Sequence, residues 1–255
     1  MKTFLALAAR VAFVLMFCAT VMFSQTDDEV SANEAAQALV KGHIAWKTKL
    51  SSPGASVRVE EVERQGSVVQ YYLYVSGLPR DRLYSYVTWP VTQAKPSTAM
   101  QGISLGKDGI AMCAGRTPEQ CGDPSAKDDP IGFAFNPVKG EPYRVALVSQ
   151  DYRVAIVIVP DPITATDKGC TLSVERLLPR FEVAFFSGSG FPTNIEVSFD
   201  SESYGEKRTV KTKTDSDGNL KFAILPAVTG HSQGTTTVRA VGLGCSPLLR
   251  FDWGS

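Results

Sequence analysis

The sequence predicts a mostly β protein: two β-sandwich-like domains in tandem, with one N-terminal α-helix after a signal peptide. Three observations carry that expectation. After Pro53 the chain breaks into short β-rich runs separated by turn residues. Before it, one stretch, Glu34–Leu50, repeats apolar residues at helical intervals. The 255 residues are 44% hydrophobic and 20% charged, enough to bury cores and unlike a disordered chain.

Residues 1–24 have the pattern of an export signal. Lys2 and Arg10 give the positive start, and Val11 to Phe23 is an apolar run too short for a membrane span. Ser24 is small enough to precede a cut, and polar residues follow from Gln25. The rival reading is an uncleaved anchor from Phe4 to Phe23, which Arg10 interrupts. Cys18 does not make a lipoprotein signal, because bulky Phe17 precedes it. The expected location is therefore secreted or periplasmic, with no membrane span in the mature chain. Lys and Arg total 26 against 26 Asp and Glu, so the chain has no charge excess to draw it to nucleic acid or an anionic membrane.

The helical segment occupies 27–52. Ser31 with Glu34 has capping-box spacing. Leu39, His43, Trp46 and Leu50 then form one stripe, and Ser51-Ser52-Pro53-Gly54 ends it. His43, on an apolar stripe beside Trp46, is read as a packed or half-exposed side chain rather than a ligand.

The first β domain spans 53–160. Its expected strands are 56–64, 68–76, 82–90, 103–113, 131–135, 143–149 and 153–159. Val154–Val159 is almost continuously apolar, which predicts a central strand buried on both faces. Pro160 and Pro162 stop it, and 160–169 is expected to be a linker.

The second domain, 167–255, divides into seven runs: 171–177, 181–187, 194–200, 206–214, 219–225, 235–241 and 247–253. That count and spacing suit a β-sandwich. Asp217-Gly218 predicts a hairpin, and Thr209, Lys211 and Lys213 predict an exposed or edge strand. Ser187-Gly-Ser-Gly-Phe191-Pro192 opening a strand, Thr214-Asp-Ser-Asp-Gly218 at a turn, Gly234–Val241 near the end and the Cys170/Cys245 bracket together resemble bacterial immunoglobulin-like domains of the IPT/TIG type. The resemblance covers about a third of the chain. It implies a spacer or adhesive module and carries over no catalytic residue.

Four cysteines follow the signal: Cys113, Cys121, Cys170 and Cys245. An even number in an exported chain predicts disulfides. Proximity favours Cys113–Cys121, which leaves Cys170–Cys245. Zinc spacing and histidine partners are absent, since the chain has two histidines, His43 and His231. No metal or other cofactor is expected. Ser187-Gly-Ser-Gly190 matches neither a nucleophile elbow nor a phosphate loop. Asp215-Ser-Asp217-Gly-Asn219 departs from the EF-hand spacing.

The remaining candidate site is aromatic. If 68–76 and 82–90 pair as a hairpin, Tyr72, Tyr74, Tyr84 and Tyr86 share one face, opposite Val69, Tyr71, Leu73 and Val75. That face is a seat for the helix, a protein-binding patch or a sugar-stacking platform. The expectation is an exported, non-catalytic binding or structural module whose partner is an envelope protein or a glycan. The alternatives are a carbohydrate-binding protein using the tyrosine face and a hydrolase using carboxylates such as Asp128 and Asp161.

Overall fold

The computed structural model describes residues 27–113, 130, 132–178 and 182–254, with the side chains of 27–33 and 113 left aside. The expected signal at 1–24 and the Cys113–Cys121 pair lie outside what is described. The chain divides into two compact units, residues 1–38 and 39–255. Helix α1, Asp27–Thr48, begins in the first and ends in the second. Ser31 therefore lies inside the helix and is not its cap. Lys47 in the last turn complements the negative end of the helix dipole. Among the described residues, no helix is long and apolar enough to cross a membrane.

Sixteen strands follow among the described residues. The first eight are β1 (Ser56–Gln65), β2 (Val68–Ser76), β3 (Tyr84–Trp89), β4 (Ser97–Leu105), β5 (Ala111–Cys113), β6 (Gly132–Phe135), β7 (Tyr143–Val148) and β8 (Arg153–Ile158). Strands β1, β2 and β6 form one antiparallel sheet, in the order β1-β2-β6, and the others a second, in the order β5-β4-β3-β7-β8. The core between them takes Val69, Tyr71, Leu73 and Val75 from one side and Tyr84, Tyr86, Ile103, Val145 and Leu147 from the other.

The rest are β9 (Ile163–Asp167), β10 (Cys170–Arg176), β11 (Ala184–Ser189), β12 (Glu196–Ser203), β13 (Glu206–Lys213), β14 (Leu220–Ile224), β15 (Gln233–Val241) and β16 (Leu248–Gly254). They make two four-stranded sheets, β14-β11-β10-β9 and β13-β12-β15-β16. Phe186 and Phe222 of one sheet and Phe199 and Phe251 of the other meet in their shared core. Strand β13 is an exposed edge, as its lysines predict.

The two halves repeat one connectivity. The order β1-β2-β6 with β4-β3-β7-β8 corresponds strand for strand to β10-β11-β14 with β13-β12-β15-β16. Strand β5 is an addition to the first half and β9 to the second.

Several expectations are corrected. The run 103–113 divides at a turn into β4 and β5, which pair with each other. The linker 160–169 contains β9. Strand β8 lies at a sheet edge, not the centre. It is still covered on both faces: Val154 and Ile158 enter the core, while Ala155 and Val157 pack under the helix with Trp46. Its edge is met by Ser51 and Ser52, whose hydroxyls accept from the backbone N–H of Ala155 (3.1 Å) and Arg153 (3.0 Å).

Neither expected hairpin pairs with itself. Strands β2 and β3 belong to different sheets, as do β13 and β14. An amphipathic strand, a short turn and another amphipathic strand suit an arch between two sheets as well as a hairpin within one. The arch after β2 starts at Gly77, whose φ is 75°; a Cβ there would stand 2.1 Å from the carbonyl oxygen of Gly54.

Cys170 and Cys245 form a disulfide with their Cα atoms 6.0 Å apart. It ties the start of β10 to the loop before β16, a sequence separation of 75. Chain-entropy reasoning assigns such a closure about 4 kcal/mol. The Cys170→Ser/Cys245→Ser double variant is expected to melt about 10 °C lower than the parent, read by circular dichroism without reductant. An unchanged melting temperature would show that the bond constrains nothing the unfolded chain explores.

Candidate functional site

Two features stand out once the halves are built: a buried cluster of ionisable side chains and an open groove. The cluster starts from Arg144 on β7, which has no solvent exposure. A buried guanidinium needs partners in place. Its Nε donates to His43 Nδ1 (2.9 Å) and its Nη1 to the Trp89 carbonyl (3.2 Å). It also lies over the Trp89 ring, 4.5 Å from the centroid.

His43 is likewise fully buried. Since Nδ1 accepts from Arg144, the ring proton sits on Nε2, which stands 3.1 Å from Glu175 Oε2 on β10. The ring meets Phe185 edge-on at 5.3 Å. Lys47, one helical turn after His43, brings its ammonium to 3.5 Å from Glu175 Oε1. A chain Arg144–His43–Glu175–Lys47 thus joins helix, first half and second half.

Burial lowers the His43 pKa below its usual value. The Glu175 hydrogen bond and charge oppose that, and the Arg144 and Lys47 charges add to it. Burial pulls Glu175 up, but the His43 hydrogen bond and the Lys47 charge outweigh it, so the carboxyl lies below the ordinary range. Burial pushes Arg144 down to about 10 against the charges of Glu175 and Glu141.

Residue alternation along β10 sends its next side chain the other way. Arg176 turns away from this buried cluster, the clasp, and its Nη1 donates to the Lys139 carbonyl between β6 and β7 (3.0 Å). It reaches the second feature, an open groove of about 740 Å³. The groove is lined by Arg176, Tyr204, Gln233, Thr235, Asp252 and Trp253. Tyr204, on the β12–β13 turn, is 54% exposed. Its hydroxyl donates to the Gln233 carbonyl (2.8 Å), and its ring stacks on His231 at 3.7 Å. Gly234 leaves room for this: a Cβ there would stand 2.5 Å from Tyr204 Cε2 and 2.9 Å from Trp253 Cζ2. Trp253 is anchored by its indole N–H to Ser203 Oγ (3.1 Å), and Asp252 accepts from the Thr235 hydroxyl (2.7 Å).

The four tyrosines do not share a face. Tyr72 and Tyr74 lie half-buried on the outer side of the three-stranded sheet, with Arg58 3.9 Å from the Tyr74 ring centroid. Tyr84 and Tyr86 point into the core from the opposing sheet, 1% and 3% exposed. The helix covers the outer face of β3, β7 and β8 instead. Asp161 is an exposed partner of Arg64 at 3.4 Å, while Asp128 lies outside the described residues. Asp215 accepts from the backbone N–H of Asp217 (2.9 Å) and of Asn219 (2.8 Å), so its carboxylate fastens the turn. Among the described residues, no group of acidic, histidine or cysteine side chains has metal-site geometry.

Sequence reasoning missed Arg144, Glu175 and the groove. Arg144 carried a signal, as a charge inside the otherwise apolar run Tyr143–Val148, where burial demands a partner; Glu175 carried none, because β10 mixes it with Thr171, Ser173 and Arg176. The groove had none, because its residues come from separated positions on β10, β15, β16 and the β12–β13 turn. No known protein family matches the chain, and no curated protein matches it.

The clasp makes two measurable demands. Unfolded, His43 protonates near 6.5; folded, it resists the proton, so its contribution is complete above that pH and is lost as pH falls. Glu175, also lowered, acts with the same sign at more acidic pH. The urea midpoint is therefore expected to fall between pH 7 and 5, and His43→Gln, which does not titrate, to flatten that limb. Glu175→Ala, which strands Arg144, is expected to cost about 3–5 kcal/mol at pH 7 in the same assay. A flat parent profile would contradict the assignment of a neutral His43.

Proposed function

We propose that this chain is an exported, non-catalytic binding or structural module of the bacterial envelope or exterior. The observation that carries the reading is the clasp. The histidine, carboxylate and guanidinium whose ionisation the fold shifts together are sealed between helix and sheets, beyond reach of a substrate. They brace a scaffold and attack nothing. The Cys170–Cys245 disulfide supports an oxidising compartment, in line with the signal-like pattern at 1–24.

Both halves are read as immunoglobulin-like sandwiches. The shared strand order supports this: first, second and fifth strands in one sheet, and fourth, third, sixth and seventh in the other, with β5 and β9 set aside. Immunoglobulin-type domains with a C′ strand on the GFC sheet have that connectivity. Tandem sandwiches of this kind serve as spacers or present a binding surface, and the IPT/TIG resemblance of the second half points the same way.

Fusing residues 1–26 to an alkaline phosphatase that is active only after export tests the location. Phosphatase activity in a bacterial host is the expected result, and an inactive, cytoplasmic fusion would overturn export.

A further inference from the structure

We infer that the groove at Tyr204, Asp252 and Trp253 binds an uncharged oligosaccharide; the inference rests on the reading of this chain as a binding module and names its ligand class. The lining sets the chemistry. Tyr204 offers a wide apolar surface with its orientation fixed from two sides, by the hydroxyl bond to the Gln233 carbonyl and by the His231 stack. A pinned aromatic ring loses little freedom when a ligand docks. Such a surface suits the C–H face of a pyranose.

The remaining lining is polar. One oxygen of exposed Asp252 takes the Thr235 hydroxyl at 2.7 Å, which orients the carboxylate and leaves its other lone pairs for hydroxyl donors. The Gln233 side chain, exposed beside it, offers both a donor and an acceptor. Arg176 and Asp252 place one charge of each sign in the groove; burial lowers the Arg176 pKa, and the nearby Asp252 carboxylate opposes that. With no excess of either charge, the groove favours a neutral ligand over a phosphate, a polyanion or a basic peptide. With only Tyr204 and Trp253 apolar, it does not suit a lipid chain.

Shape sets the size. An open groove of about 740 Å³ has room for several sugar units. It does not enclose a single small molecule.

The test is isothermal titration of the full exported chain with cellohexaose and with chitohexaose, both uncharged. Saturable binding of at least one is expected. Tyr204→Ala and Asp252→Asn are each expected to weaken it about tenfold or more, with the far-ultraviolet spectrum unchanged. Tyr74→Ala, on the outer face of the other half, is expected to leave it intact. Binding of neither sugar, or saturation by an uncharged hexapeptide in their place, overturns the inference. Sugar binding that survives Tyr204→Ala and fails in Tyr74→Ala overturns the groove and leaves the binding-module reading standing. Cleavage of a hexasaccharide, seen by chromatography, overturns the non-catalytic reading and leaves the groove in place.

Discussion

A guanidinium without solvent exposure must be matched where it sits, and here that demand falls mainly on one histidine. Arg144 gives its Nε proton to His43, and His43 stands with its own proton toward Glu175. A neutral imidazole has one lone pair and one N–H, so its two sides are not interchangeable. The order guanidinium, imidazole, carboxylate fixes the helix against both halves at once. Desolvating two charges is expensive, and the arrangement holds because every step along the chain has a partner within hydrogen-bond or ion-pair distance.

The clasp also explains the first half's sequence. A five-stranded sheet with a core on one side has to dispose of its other face. Helix α1 covers it with Leu39 and Trp46, joined by Leu50 just past its end, and the Trp46 indole donates to the Val145 carbonyl beneath at 3.2 Å. That cover is why β8 reads as apolar throughout although it ends the sheet. It also explains why Tyr84 and Tyr86 face one layer while Val87 and Trp89 face another, with both sides of β3 dry.

Strand β10 links the two features. Glu175 and Arg176 are consecutive, and the pleat sends one into the clasp and the other toward the groove. A groove shaped by strands and a pinned turn, rather than by long loops, is pre-formed for its ligand.

Local sequence determined the strands, the helix and the Cys170–Cys245 pairing, because each depends on short-range periodicity, on turn residues or on how few cysteines there are to pair. Val68–Ser76 is legible to the residue from its alternation, and Lys211 and Lys213 identify an edge. The same alternation does not say which strand is a neighbour. It records only which side chains are dry, and a dry face is equally satisfied by a core, an opposing sheet or a helix. Alternation alone therefore places Tyr84 and Tyr86 in the wrong layer, and Pro160 and Pro162 conceal the strand β9 that follows them. Pairing depends on contacts between residues far apart in the chain, such as Arg144 with His43 and Trp253 with Tyr204. Only the tertiary structure decided these, because the energy of burying a charge or seating a ring is set by what surrounds it in space.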